Sequence, residues 1–412
     1  LPPEPPTVPT AEEASALVAS PKSVADTEGA AATEDKEALV IVNGGWMISA
    51  GYAGDDAPKA VFAAVVGRPK HSPGAHVEVV GDKACAQPRN FILSRPFSQV
   101  LETSWSDRED IWHHTFYEMG VKPSEHPVLL TEPPLTTTAS RERLTKIMFD
   151  TFNVPAIYVA VDSVLALYAS GSRTGCVVHS GFATTTCIVV QDGFYVHHYS
   201  KQIPMGGRDL TEFMRETLRE VEADSGIARS ERIFAEDTGA VFLAANEIKE
   251  RICSVALNPE LSPPPFYDPH AMPARPVAIS HPSISGISLS NERVLCPEIL
   301  FKPSLYYREH GGIHQCTFEA IMNVEDDDFR CQLFGNIIMT GGNTMFSGIA
   351  ERMTQELNAL APNAKILVSA PPDRKYAAWI GGSLLGQVMQ ESLWITRARY
   401  DEYGAGIVRH GF

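Results

Sequence analysis

Gly175-Cys176-Val177-Val178-His179-Ser180-Gly181 runs into Thr184-Thr185-Thr186-Cys187-Ile188-Val189-Val190 and the turn Asp192-Gly193, and the reading of this stretch decides the fold. Its β-branched and apolar residues, folded back at glycine, predict a hairpin. About 135 residues earlier, Ala38-Leu39-Val40-Ile41-Val42 ends in Asn43-Gly44-Gly45, which predicts a strand and turn of the same kind. A strand-turn-strand unit recurring at that distance implies a duplicated architecture: two similar α/β lobes across a cleft, with two glycine turns placed to grip one ligand. Apolar residues spaced by three and four predict helices over 141–152, 209–221 and 351–360. A third turn, Thr340-Gly341-Gly342-Asn343-Thr344-Met345-Phe346, follows the apolar strand 336–339 and leads through Ser347-Gly348 into a helix. Glycine there lets backbone approach a ligand, and the helix N-terminus offers a positive dipole end. Taken alone, that stretch reads as a turn before a helix.

The 412 residues, 44% hydrophobic, are enough for two domains with a large core. The 34 basic and 50 acidic residues leave a formal charge of −16, which argues against nucleic acid or an anionic membrane as the main partner. No apolar run approaches the roughly 20 residues of a membrane span; 157–169 is interrupted by Asp162 and Ser163. Seven scattered cysteines without a CxxC pair suggest neither a disulfide framework nor a zinc site, and read as core fillers in a reducing compartment. Residues 1–37 carry six prolines, eight acidic and two basic residues, and read as an acidic extension, disordered or ordered only on a partner. A chain starting at Leu1 reads as a processed or trimmed product, so the N-terminus does not give a location; a cytoplasmic or cytoskeletal one is favoured, and the processing leaves an organelle open. Eight prolines between Leu257 and Cys296 predict an irregular surface excursion.

Five stretches resemble the actin family: Ala53-Gly54-Asp55-Asp56-Ala57-Pro58 with Val66-Gly67-Arg68-Pro69; Ile111-Trp112-His113-His114-Thr115-Phe116; 125–132; Gly207-Arg208-Asp209-Leu210-Thr211; and 371–382. The resemblance spans residues 38–412. It implies the actin fold, in which each lobe is built on a five-stranded mixed sheet with flanking helices and a nucleotide lies in the cleft. The first lobe would cover about 38–170 with 372–412, and the second about 171–371.

In actins the hairpin turns hold the β- and γ-phosphates through backbone N–H groups, and an aspartate in each orients the metal's water shell. Here the first aspartate position is Val42, the small Ser and Gly positions are Gly45 and Trp46, and the phosphate-binding lysine is Ser49. In the second turn His179, Phe182 and Ala183 stand for Asp, Asp and Gly. The Gln and His that place the attacking water align with Asp162 and Thr186; a carboxylate there repels a triphosphate, and threonine relays protons poorly. Loss of the metal removes the charge neutralisation on which phosphoryl transfer depends. No catalytic or metal-binding residue is therefore expected, and His179 is expected to be a hydrogen-bonded structural residue. By contrast, Lys249, Glu250, Gly341, Gly342, Asn343, Met345, Phe346 and Lys375 match the family's adenosine side. The expected cofactor is none, or an adenine nucleotide bound weakly without metal.

The resemblance also places the filament contacts. The mobile loop after Arg68-Pro69-Lys70-His71 is several residues short, and the segment aligned with the apolar plug, 305–310, carries Arg308 and Glu309. An ordinary homopolymer is not expected. Segments that frame the partner groove, 168–171 and 349–353, are retained, as is a C-terminal helix running from Leu393 through Glu402, so other proteins are the expected partners. These features together imply a structural actin-like subunit of a larger assembly, a pseudo-ATPase. Two other readings stay open: a divergent ATP-binding, polymerising cytoskeletal actin, and an actin-like regulator in a chromatin-remodelling complex.

Overall fold

The structure, a computed structural model, describes residues 36–70, 78–98, 104–226, 232–235, 238–257, 277–278 and 288–409. The first hairpin forms from β1 (Leu39–Asn43) and β2 (Met47–Tyr52), and β3 (Ala60–Ala63) extends it antiparallel. A small sheet of β4 (Val66–Pro69), β5 (Val79–Val80) and β6 (Phe91–Ser94) is inserted next, with α1 (Asp82–Ala86) against it. Past α2 (Trp105–Met119), β7 (Val128–Glu132) joins parallel to β1. Past α3 (Thr138–Asp150), β8 (Ala156–Val161) joins parallel to β7 and leads into α4 (Asp162–Ala169).

The second lobe repeats this plan. β9 (Gly175–Ser180), β10 (Thr185–Gln191) and β11 (Phe194–Ile203) form an antiparallel meander. Then come α5 (Gly207–Asp224), α6 (Gly239–Ile252), the short pair β12 (Val277–Ala278) and β13 (Ser288–Leu289), α7 (Glu292–Glu298), α8 (Ile313–Met322) and α9 (Asp327–Phe334). β14 (Ile337–Thr340) lies parallel to β9 and, after α10 (Ile349–Leu360), β15 (Val368–Ser369) lies parallel to β14. The order β11-β10-β9-β14-β15 matches β3-β2-β1-β7-β8 strand for strand and direction for direction, which is the expected duplication.

The first sheet departs from the expected five strands. After α11 (Ala377–Val388) the chain adds β16 (Ile395–Thr396), antiparallel to β8, as a sixth. The helix expected from Leu393 therefore starts later, as α12 (Arg397–Tyr403), because Ile395 and Thr396 pair with Ile157 and Ala156 and the Thr396 hydroxyl caps the helix by accepting from Arg399 N. The excursion expected over 257–296 is corrected at its end: α7 is helical, with Pro297 only in its last turn, and Leu289 and Cys296 are fully buried. The rest of that stretch lies largely outside the described residues, as do residues 71–77 of the segment aligned with the family's loop and nearly all of the N-terminal extension. Of that extension, Lys36 is described, and it pairs with Glu125 at 2.9 Å.

Strands β9 and β10 read as unbroken apolar runs because helices cover both faces: Val178, Cys187 and Val189 face the core of the second lobe, while Val177, Ile188 and Val190 face α4. Each such side chain contributes about 1.5–3 kcal/mol when fully buried. Helix α4 thus serves both lobes, since its Leu165 joins Val40, Leu129 and Trp379 on the other side. It crosses α11 so closely that a Cβ on Gly381 would fall 1.8 Å from the Leu165 carbonyl oxygen. Helix α4 is therefore packed against both lobes along one side of the cleft. Five of the seven cysteines are buried and all are free; Cys85 is half-buried and Cys331 exposed.

Candidate functional site: the interlobe cleft

The cleft encloses about 670 Å³ between the β1–β2 turn, the β9–β10 turn, the turn after β14 and the loop after β7. Asn43 anchors the first turn. Its backbone N–H donates to Thr131 Oγ1 and its Nδ2 to the Thr131 carbonyl, both at 3.0 Å, while its Oδ1 accepts from Trp112 Nε1 at 3.0 Å. Gly45 then presses on the opposite turn, where a Cβ would sit 3.3 Å from Phe182 Cβ.

Trp46 follows, with its ring centroid 5.2 Å from that of Phe182 and 6.2 Å from that of Phe242 on α6; Phe182 and Phe242 meet edge to face at 6.4 Å. The Arg95 guanidinium, just past β6, caps the group 3.9 Å from the Trp46 ring and 5.4 Å from Phe182. Burial brings the Arg95 pKa down to about 10, and its Nη1 has no hydrogen-bond partner among the described residues. In the second turn the carbonyls of Gly181 and Phe182 accept from the N–H groups of Gly207 and Arg208, so the first amides of α5 are spent on the protein.

The floor is polar. His179 Nε2 stands 4.0 Å from Asp162 Oδ2, and its Nδ1 and the Thr186 hydroxyl lack partners among the described residues. His179 is thus not the hydrogen-bonded residue expected; it pairs in register with Thr186, and neither side chain reaches the other. Glu132 accepts from Arg141 Nε at 2.6 Å, yet burial outweighs that partner and raises its carboxyl pKa. Arg108, which also lines the cleft, has its pKa brought down to about 10 by burial.

The eight residues expected on the adenosine side are brought together along the cleft. Lys249 is buried and its Nζ donates to the Gly207 carbonyl (3.2 Å), Thr211 Oγ1 (2.9 Å) and Asn246 Oδ1 (2.9 Å); burial lowers its pKa. Asn343 Nδ2 donates to Ser180 Oγ (3.1 Å) and the Gly181 carbonyl (2.7 Å). Gly341 has φ +92°, and a Cβ there would lie 2.3 Å from the Ser180 carbonyl oxygen, so only glycine fits. Phe346 is buried, while Glu250, Gly342, Met345 and Lys375 form an exposed rim. The rim and Phe346 line one side of the cleft. The turns do not fit a metal-bound polyphosphate, because two rings fill the gap between them and neither Val42 nor His179 supplies a carboxylate.

A family model described as Actin matches residues 33–412, which agrees with the duplicated sheets and the cleft between them. The chain belongs to the actin family. Within this actin-family chain, sequence reasoning singled out Trp46 and Phe182 but missed Arg95 and Phe242, which complete the cluster and lie far from either turn. In the 305–310 segment Tyr307, Arg308 and Glu309 are exposed, Tyr307 at 95%, and Arg308 donates to Asp209 at 2.7 Å. Among the described residues no helix is long and apolar enough to cross a membrane.

Proposed function

We propose that this chain is a structural actin-family subunit of a larger protein assembly that does not hydrolyse ATP. The observation that carries the reading is the Trp46–Phe182 contact of 5.2 Å, which places apolar rings between the two turns at the expected phosphate position. Phosphoryl transfer is catalysed almost entirely by positioning and charge neutralisation, and these turns offer no carboxylate for a metal and set apolar rings where the anion would need polar contacts. The exposed rim of Glu250, Gly342, Met345 and Lys375 supports weak adenosine binding without metal. The charge of −16 and the retained groove segments support protein partners in place of nucleic acid, and the altered loop and plug segments disfavour an ordinary homopolymer.

The test is phosphate release by the purified full chain with millimolar ATP, with and without magnesium. The expected rate is that of the buffer blank under both conditions. Metal-dependent release well above the blank would overturn the reading, and salt-induced pelleting with ATP would favour the polymerising alternative.

A further inference from the structure

Helix α4 packs on both lobes, with Leu165 against Val40, Leu129 and Trp379 and Leu167 against Val177, Ile188 and Ile338. Away from α4, aromatic side chains of the two lobes meet across the cleft. Trp46 comes from the first lobe; Phe182 and Phe242 come from two separate elements of the second. Arg95 backs them from the inserted sheet. Next to them Leu93 of β6 meets Gly239 at the start of α6, where a Cβ would lie 3.4 Å from Leu93 Cδ1. The Arg95 guanidinium has no carboxylate among its described partners: its neighbours are the two rings and Cys85, and its Nη1 is unpartnered. A buried cation held this way is stabilised by ring faces, and it keeps that stabilisation only while the rings stay together.

We propose that Trp46, Phe182 and Phe242, backed by Arg95, form a built-in latch that holds the two lobes closed with no ligand between them. Ring contacts and a cation over a ring, taken together, are of a size to shift an open–closed equilibrium by about 100-fold. The latch occupies the place that a bridging anion would need, so closure and exclusion of polyphosphate are two consequences of the same rings. The inference rests on the ring cluster and goes beyond the absence of hydrolysis.

Hydrogen–deuterium exchange on the full chain tests it, read at the amides of 44–47 and 181–184. In the wild type these amides are expected to be protected, equally with EDTA and with magnesium-ATP. Trp46→Ala is expected to raise exchange at both turns about tenfold or more, Phe242→Ala to do the same, and the double variant to add little beyond the larger single effect. Tyr403→Ala, on an exposed residue of α12, should leave both turns unchanged. Phe242→Leu, which keeps most of the volume, should give an intermediate rise should the alanine variants fail to fold. Unchanged exchange in Trp46→Ala, fully additive effects in the double variant, or wild-type protection that collapses with EDTA would each overturn the latch. Phosphate release plays no part in this readout, so either proposal can fail while the other stands.

Discussion

Replacing Lys249 by Met asks whether that ammonium is a strut of the second lobe or is held ready for a ligand. Methionine keeps the length and packing of the stem, so the change removes the charge and three donated bonds, to Gly207, Thr211 and Asn246. Bonds from a charged donor contribute about 1.5–3 kcal/mol each, a gross loss of several kcal/mol. Two effects reduce it. Burial already penalises the ammonium, as its lowered pKa shows. The Thr211 hydroxyl also remains within reach of the Gly207 carbonyl (2.7 Å) and Asn246 Oδ1 (3.0 Å), so those acceptors are not all orphaned. The net expectation is a destabilisation of about 2 kcal/mol, near 30-fold in the folding equilibrium, measured as a lowered urea midpoint at pH 7. The pH profile gives a second readout. A lysine whose folded pKa is depressed binds its proton more weakly in the folded state, so the unfolded state holds more protons between that pKa and about 10.4. Wild-type stability should therefore rise with pH through this window, and Lys249→Met should flatten the rise. A variant as stable as the wild type at pH 7, with its profile unchanged, would refute the strut.

Arg352→Met removes a guanidinium that is 1% exposed and donates to both oxygens of Glu298 at 2.9 Å, to Glu356 and to the Ala256 carbonyl. Glu298 would keep only Lys302, at 3.8 Å, so the cost approaches the roughly 3–5 kcal/mol of a broken buried pair, and adding Glu298→Gln should recover part of the loss in denaturant unfolding; a double variant worse than the single would count against it. Asp110→Asn concerns a carboxyl whose pKa is raised to about 7, by burial first and then by neighbouring Glu78 and Asp107. Because the folded state holds that proton more tightly, wild-type stability should fall as pH rises from about 4 to 7, and the asparagine variant should lose that slope in melting curves taken across the range.

Local pattern was enough for the hairpins, the duplication and the helices, because alternation, β-branching and glycine turns act over a few neighbouring residues. The changed residue types at Val42, Trp46, His179 and Phe182 were legible only through the resemblance to the actin family, which says what those short turns ordinarily carry. Short range is also why β16 and α7 were misread. A two-residue strand has almost no pattern of its own and exists because β8 offers a free edge. The short helix α7 follows a proline-rich stretch, and it forms where burial of Leu289 and Cys296 outweighs composition. The partners that Trp46 and Phe182 meet in the cleft lay beyond such reading. Arg95 sits after a strand of the inserted sheet and Phe242 in the middle of a helix, and nothing near either residue marks it out. They meet Trp46 and Phe182 because two lobes close on one another, and contacts between remote segments are set by how whole layers pack. The same holds for Lys249, whose place in the family resemblance implied a ligand contact and whose ammonium donates to three acceptors supplied by α5 and α6.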